Sequence, residues 1–141
     1  MCIRDRVQTL PLTVGVYYDE SLRNHRYTEN TPERPNWDID SGAAQVRMFD
    51  QVLRSTFSDV IDLSSPPSAS NAANVDIVLV PELKEMQFAI PNETFLDFFE
   101  AWIRYDIEMM TGSGDVLSNW EIAAYGKSPK TRFGRLSLIH I

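Results

Sequence analysis

His25 stands between Arg23 and Arg26 and close to the neighbouring carboxylates Asp19 and Glu20. A general base needs an orienting acid, and Asp19 or Glu20 would reach His25 only if the polar segment around it folded back. Proline and asparagine surround that segment, so a solvated loop histidine is the expected state. Glu82 and Glu85 form a second acidic group. Acid/base pairs do come from strand ends, but an acidic surface is the expected account of both groups.

Two glycine-bearing stretches invite a phosphate-binding reading, because glycines let backbone amides approach an anion. Gly112-Ser113-Gly114 reads better as a hairpin turn. Gly126-Lys127-Ser128 lacks the glycine five residues upstream, where Glu121 stands, and Pro129 occupies the place where a helix would begin. It is expected to stop a strand. Asn92-Glu93-Thr94 matches a glycosylation sequon, a three-residue pattern expected here by coincidence of sequence. No Ser/His/Asp order, Cys/His pair or His-rich metal spacing is present in the body of the chain. No catalytic residue, cofactor or metal ligand is therefore expected.

Trp102 and Arg104 are of the residue types that anchor protein interfaces. With Trp120, and with Tyr18, Asp19 and Arg23 where the first strand opens into a long loop, they form the candidate interaction surface.

The two ends follow from one DNA string. Met1-Cys2-Ile3-Arg4-Asp5-Arg6 can be encoded by ATG TGT ATA AGA GAC AG, whose reverse complement translates as Leu-Ser-Leu-Ile-His, the run that begins at Leu136 and is followed by Ile141. That string is a transposon end used to prepare sequencing libraries, so 1–6 and 136–141 are expected to be adapter-derived. Residues 7–135 then form a single α/β domain truncated at both ends. Cys2 goes with the adapter, which leaves no thiol for a disulfide or metal site. A signal peptide with its lipid-bearing cysteine would lie upstream of Val7.

The 141 residues are 43% hydrophobic and 23% charged, enough for one globular core. A formal charge of −7 argues against nucleic acid, and no apolar run approaches the ~18 residues of a membrane span.

Alternating Leu12, Val14 and Val16 predict a first strand, with Gly15 marking close packing. Residues 19–40 are expected to be a long surface loop. Asp40 or Ser41 can cap a helix whose stripe is Val46, Phe49, Val52, Leu53, Phe57 and Val60. Ser64 to Asn74 reads as a linker. Val75 to Val80 reads as a strand buried on both faces, interrupted at Pro81 and continuing through Met86, Phe88 and Ile90 to a turn at Pro91-Asn92. The clearest strand places Phe99, Ala101, Ile103, Tyr105, Ile107 and Met109 on one face and Glu100, Trp102, Arg104, Asp106 and Glu108 on the other. Thr111 to Asp115 turns the chain, and Val116 to Tyr125 returns with Val116, Trp120, Ile122 and Ala124 on one side. The expected fold is α+β: a mixed sheet of about four strands, in the order β-α-β-β-β, with one long helix on one face. One helix covers only part of such a sheet, so a C-terminal helix is expected beyond Arg135.

These landmarks resemble a group of largely uncharacterised periplasmic proteins and lipoproteins of Gram-negative bacteria. The matching stretches are Leu12-Thr13-Val14-Gly15-Val16-Tyr17-Tyr18, Phe49-Asp50-Gln51-Val52-Leu53, Asp76-Ile77-Val78-Leu79-Val80-Pro81-Glu82, Phe99-Glu100-Ala101-Trp102-Ile103-Arg104-Tyr105 and Trp120-Glu121-Ile122-Ala123-Ala124-Tyr125-Gly126-Lys127-Ser128. The layout is similar to the small α/β domains of outer-membrane assembly and secretion lipoproteins. The resemblance implies a non-catalytic envelope domain, periplasmic and outer-membrane-anchored where an upstream lipobox exists. Its partner would be an envelope protein or a cell-wall component. Two other classes remain open: a small hydrolase or transferase using Asp19, Glu20 or His25, and a ligand-binding domain with Trp102 or Trp120 as a stacking surface.

Overall fold

The computed structural model describes residues 8–29, 32, 36–68, 70–72, 74–89 and 98–129. Both terminal hexapeptides, the turn at Pro91-Asn92, the sequon and the expected C-terminal helix lie outside the described residues.

Strand β1 (Leu10–Tyr17) carries the expected alternation, with Val14 and Val16 fully buried on one face. Its other face is kept narrow by Gly15, where a Cβ would stand 3.3 Å from a Leu63 methyl group. Residues 19–40 depart from the loop expectation. They form a short helix α1 (Glu20–Arg23) and a two-stranded antiparallel ribbon of β2 (Arg26–Glu29) and β3 (Trp37–Asp40). Trp37 and Ile39 alternate inward on β3 and pack with Phe88, and burial of these side chains holds the ribbon down.

Helix α2 (Gly42–Thr56) follows Ser41 as expected, but the Ser41 side chain makes no capping bond to it. The helix also ends earlier than the stripe predicts. Phe57 and Val60 belong to β4 (Phe57–Leu63), which runs parallel to β1 with Val60 beside Val14. Between β4 and the next strand, Ala72 and Val75 pack with Leu63 and Val78 on the face of the sheet opposite α2. Asp76 fastens the end of this connection: the Asp76 carboxylate accepts from the Thr13 amide and the Asp76 amide donates to the Thr13 carbonyl, both at 2.8 Å.

Strand β5 (Ile77–Ala89) pairs parallel to β1 and antiparallel to β6 (Phe98–Met110), which pairs antiparallel to β7 (Val116–Pro129). The sheet thus has five strands, not four, in the order β4-β1-β5-β6-β7. The α+β class stands.

Pro81 does not interrupt β5. It follows the last β5 residue paired with β1, so it sits where the strand has a neighbour on the β6 side only. The irregularity falls instead between Leu83 and Glu85. Gly126 to Pro129 likewise continue β7 instead of ending it. A further shift between Met109 and Met110 sets Val116 opposite Met110, so Val116 does not share the face of Trp120. The Thr111–Asp115 turn forms as expected, with Gly114 at φ 98°.

Candidate functional site

Phe49 and Leu53 seat α2 on Val14, Val16, Leu79, Tyr105 and Ile107. That position covers the β1–β5–β6 side of the sheet and leaves its β6–β7 side open. Met48 and Val52, one residue ahead of the seating pair, stay 41% and 56% exposed; Met48 lies over Met86 and Ile103 of β5 and β6, and Val52 looks toward the open part. Trp120 and Ile122 on β7 face Val52 from the sheet, because Trp120 pairs with Ile107 and Ile122 with Tyr105 on the helix-bearing face.

Two cavities succeed one another along α2. The first, about 360 Å3, lies by the N-terminal half of the helix, between Ala44 and Met48 above and Met86, Ile103 and Tyr105 below. The second, about 190 Å3, lies by the C-terminal half, between Val52 and Leu53 and the side chains of Ile107, Trp120 and Ile122. Together they make an apolar valley walled by one helix and floored by β5, β6 and β7. Soluble domains seldom leave such a surface bare unless something binds it.

One end of the valley has a polar floor. Tyr105 donates its hydroxyl to Gln45 Oε1 at 2.8 Å, and Gln45 Nε2 donates to Ser41 Oγ at 3.0 Å. Ser41 Oγ lies 2.6 Å from His25 Nδ1. The His25 carbonyl in turn accepts from the Ser41 and Gly42 amides, both at 3.1 Å, and so closes the first turn of α2. His25 is therefore half-buried and structural, which corrects the solvated-loop expectation. Burial lowers its pKa and keeps the imidazole neutral near pH 7. Burial pushes the Tyr105 phenol up to about 12, so it remains a donor.

A serine beside a histidine suggests a nucleophile and its base. Ser41 is only 6% exposed and already accepts the Gln45 amide. Among the described residues no carboxylate orients the His25 ring. The chain Tyr105–Gln45–Ser41–His25 works as a clamp that ties sheet, helix and ribbon base together.

The candidate residues fall into three separate places. Tyr18 is 1% exposed and packs on Phe49, so it belongs to the core and not to a surface. Burial, with Asp50 and Asp62 nearby, raises its pKa. Asp19 caps α1, accepting from the Leu22 amide and the Ser21 hydroxyl at 2.9 Å each. Arg23 lies over the Tyr18 ring, donates to the Tyr18 carbonyl and pairs with Asp62 at 2.8 Å. The carboxylates and cation at the end of β1 are thus committed to local structure.

Trp102 and Arg104 occupy the face of the sheet opposite α2, as their alternation predicts. Trp102 is 41% exposed and lies 5.2 Å from the Tyr125 ring, while Arg104 stands 3.5 Å from Glu85 and 3.9 Å from Glu121. Trp120 points the other way, into the valley. The sequence reasoning missed Gln45, Met48 and Met86. A polar residue four positions before Phe49, inside the apolar stripe, was the signal for Gln45.

The arrangement defines an α+β domain whose mixed sheet carries one helix and keeps an apolar valley beside it. No helix among the described residues is long and apolar enough to cross a membrane, and no group of His, Cys, Asp or Glu among them would hold a metal. No family model matches the chain, and no curated protein matches it. Among solved structures it is similar to the hypothetical protein CT253 from Chlamydia trachomatis, determined at 1.65 Å resolution. The two are 10% identical over 85% of this chain and 74% of that chain, with a TM-score of 0.47.

Proposed function

We propose that this chain is a non-catalytic module of the Gram-negative cell envelope. In this reading it is the periplasmic domain of a lipoprotein that binds an envelope protein or cell-wall component during assembly or transport. The observation that carries the interaction role is the apolar valley beside α2, with Met48, Val52, Trp120 and Ile122 exposed along it. Methionines and aromatics on such a surface adapt to an apolar partner. The envelope location rests on the resemblance of its strand and helix landmarks.

The test is photo-crosslinking in cells from a reactive side chain at position 122, with position 47 as control. An envelope protein captured at 122 and not at 47 is the expected result. Equal capture at both positions, or fractionation of the protein with the cytoplasm, overturns the reading.

The polar floor at Ser41, Gln45 and Tyr105 favours a second reading, in which the larger cavity holds the head of a small amphipathic molecule. Native mass spectrometry of the purified protein distinguishes the two, because only the second predicts a small bound mass that mutation of Gln45 removes.

A further inference from the structure

The two outer edges of the sheet are built differently. The β4 edge is only seven residues long and carries charged residues, Asp59 and the Asp62 that pairs with Arg23, along it. The β7 edge runs for 14 residues, reaches proline only at its last position and exposes Val116, Leu117, Trp120, Ile122 and Tyr125. Among the described residues no strand pairs with its outer side. A long, apolar, undefended edge is a template for another strand.

We propose that two copies of this chain join edge to edge through β7, antiparallel, with Ala124 opposite its own counterpart on the twofold axis. The charges select this register. Glu121 and Lys127 are the only ionic side chains of β7, and each lies three residues from Ala124. Antiparallel pairing about Ala124 places Glu121 of each copy opposite Lys127 of the other, so one axis generates two ion pairs. Sliding by two residues in either direction loses both.

Size follows the same pattern. In this register Trp120 faces Ser128, Ile122 faces Gly126 and Tyr125 faces Ala123, a large side chain opposite a small one in each case. A Cβ added at Gly126 would meet nothing within 4 Å, so the room for Ile122 of the second copy is present. Opposite residues of an antiparallel pair share a face, so both α2 helices lie on the same side of a ten-stranded sheet and the two valleys adjoin. The pairing rests on the edge of β7, whose Trp120 and Ile122 also line the valley.

The test is sedimentation of the full chain over micromolar to submillimolar concentrations, with circular dichroism as a check on folding. The wild type is expected to dimerise. Glu121→Lys and Lys127→Glu each place like charges opposite one another and should weaken association by about tenfold or more. An equal mixture of the two variants restores opposite charges across the heterodimer and should associate like the wild type. A monomeric wild type, or folded variants that dimerise undiminished, or a mixture that stays monomeric overturns the proposal. Oxidation supplies a second measurement where a charge variant misfolds. In a Cys2→Ser background, Ala124→Cys is expected to give a disulfide-linked dimer and Ser118→Cys is not; equal yields overturn the register.

Discussion

The hydroxyl of Tyr105, in the middle strand of the antiparallel meander, donates to Oε1 of Gln45 on the helix above it at 2.8 Å. This is a buried polar bond between the two layers of the domain, and both partners lie in the wall of the apolar valley.

Tyr105→Phe leaves Gln45 Oε1 buried without its donor. The expected loss is about 1–3 kcal/mol in chemical denaturation. Adding Gln45→Leu removes the orphaned acceptor, so the double variant should lose less than the sum of the single losses, by at least about 0.5 kcal/mol. Strict additivity would mean that the bond does not couple the layers.

His25 predicts a pH dependence. Its pKa in the folded protein lies below the ordinary 6.5 because burial disfavours the imidazolium. As pH falls, the unfolded chain therefore takes up the proton first and is favoured. The His25 contribution to stability is complete above about pH 6.5 and is lost as pH falls toward the folded-state value. Denaturation midpoints measured between about pH 7 and pH 5 should decline more steeply for the wild type than for His25→Gln. Parallel profiles would contradict the assignment.

Two glycines should respond in opposite directions to the same change. A Cβ at Gly42 would stand 2.0 Å from the Arg23 carbonyl oxygen and 2.9 Å from the His25 nitrogen, both fixed backbone atoms. Gly42→Ala should cost about 3 kcal/mol or prevent folding. Gly126 has open space around it, and its alanine variant should gain about 0.4–1 kcal/mol by restricting the unfolded chain. Thermal unfolding of the two variants checks both signs.

Ile122→Glu places a charge in the valley at a position that is already partly solvated. Stability should move by no more than about 0.5 kcal/mol. Binding of an apolar fluorescent dye to the native protein should fall sharply. Undiminished dye binding would locate the exposed apolar surface elsewhere.

The reach of the sequence differs from strand to strand for physical reasons. The alternation from Phe99 to Met109 is strict over many residues, and both the strand and its inner face were readable from it. Phe57 and Val60 continue the three- and four-residue spacing of Val46, Phe49 and Leu53, so the boundary between α2 and β4 was invisible in the pattern. Pairing of Val60 with Val14, a contact distant in sequence, sets it. The ribbon at 26–40 was hidden because its strands are four residues long, and Trp37 and Ile39 are its only strong alternating pair. For the site, the exposure of Trp102 and Arg104 followed from their alternation. The separation of Trp120 from Trp102 required the register of β6 on β7, and the burial of Tyr18 required the position of α2.

The central place of β1 carries a consequence for how the chain reaches this state. One side of β1 is satisfied by β4, after the 42–56 helix has returned the chain. The other side waits for residues 77–79, so Val14 must find Ile77 across the intervening residues 15–76. Strands β5, β6 and β7 need only their immediate sequence neighbours and zip as successive hairpins. On the ribosome, the first four strands and their two helices can therefore collapse while β1 still has a bare side. The late and slow event is the docking of the finished meander onto it, with Asp76 latching onto Thr13 as the register is found.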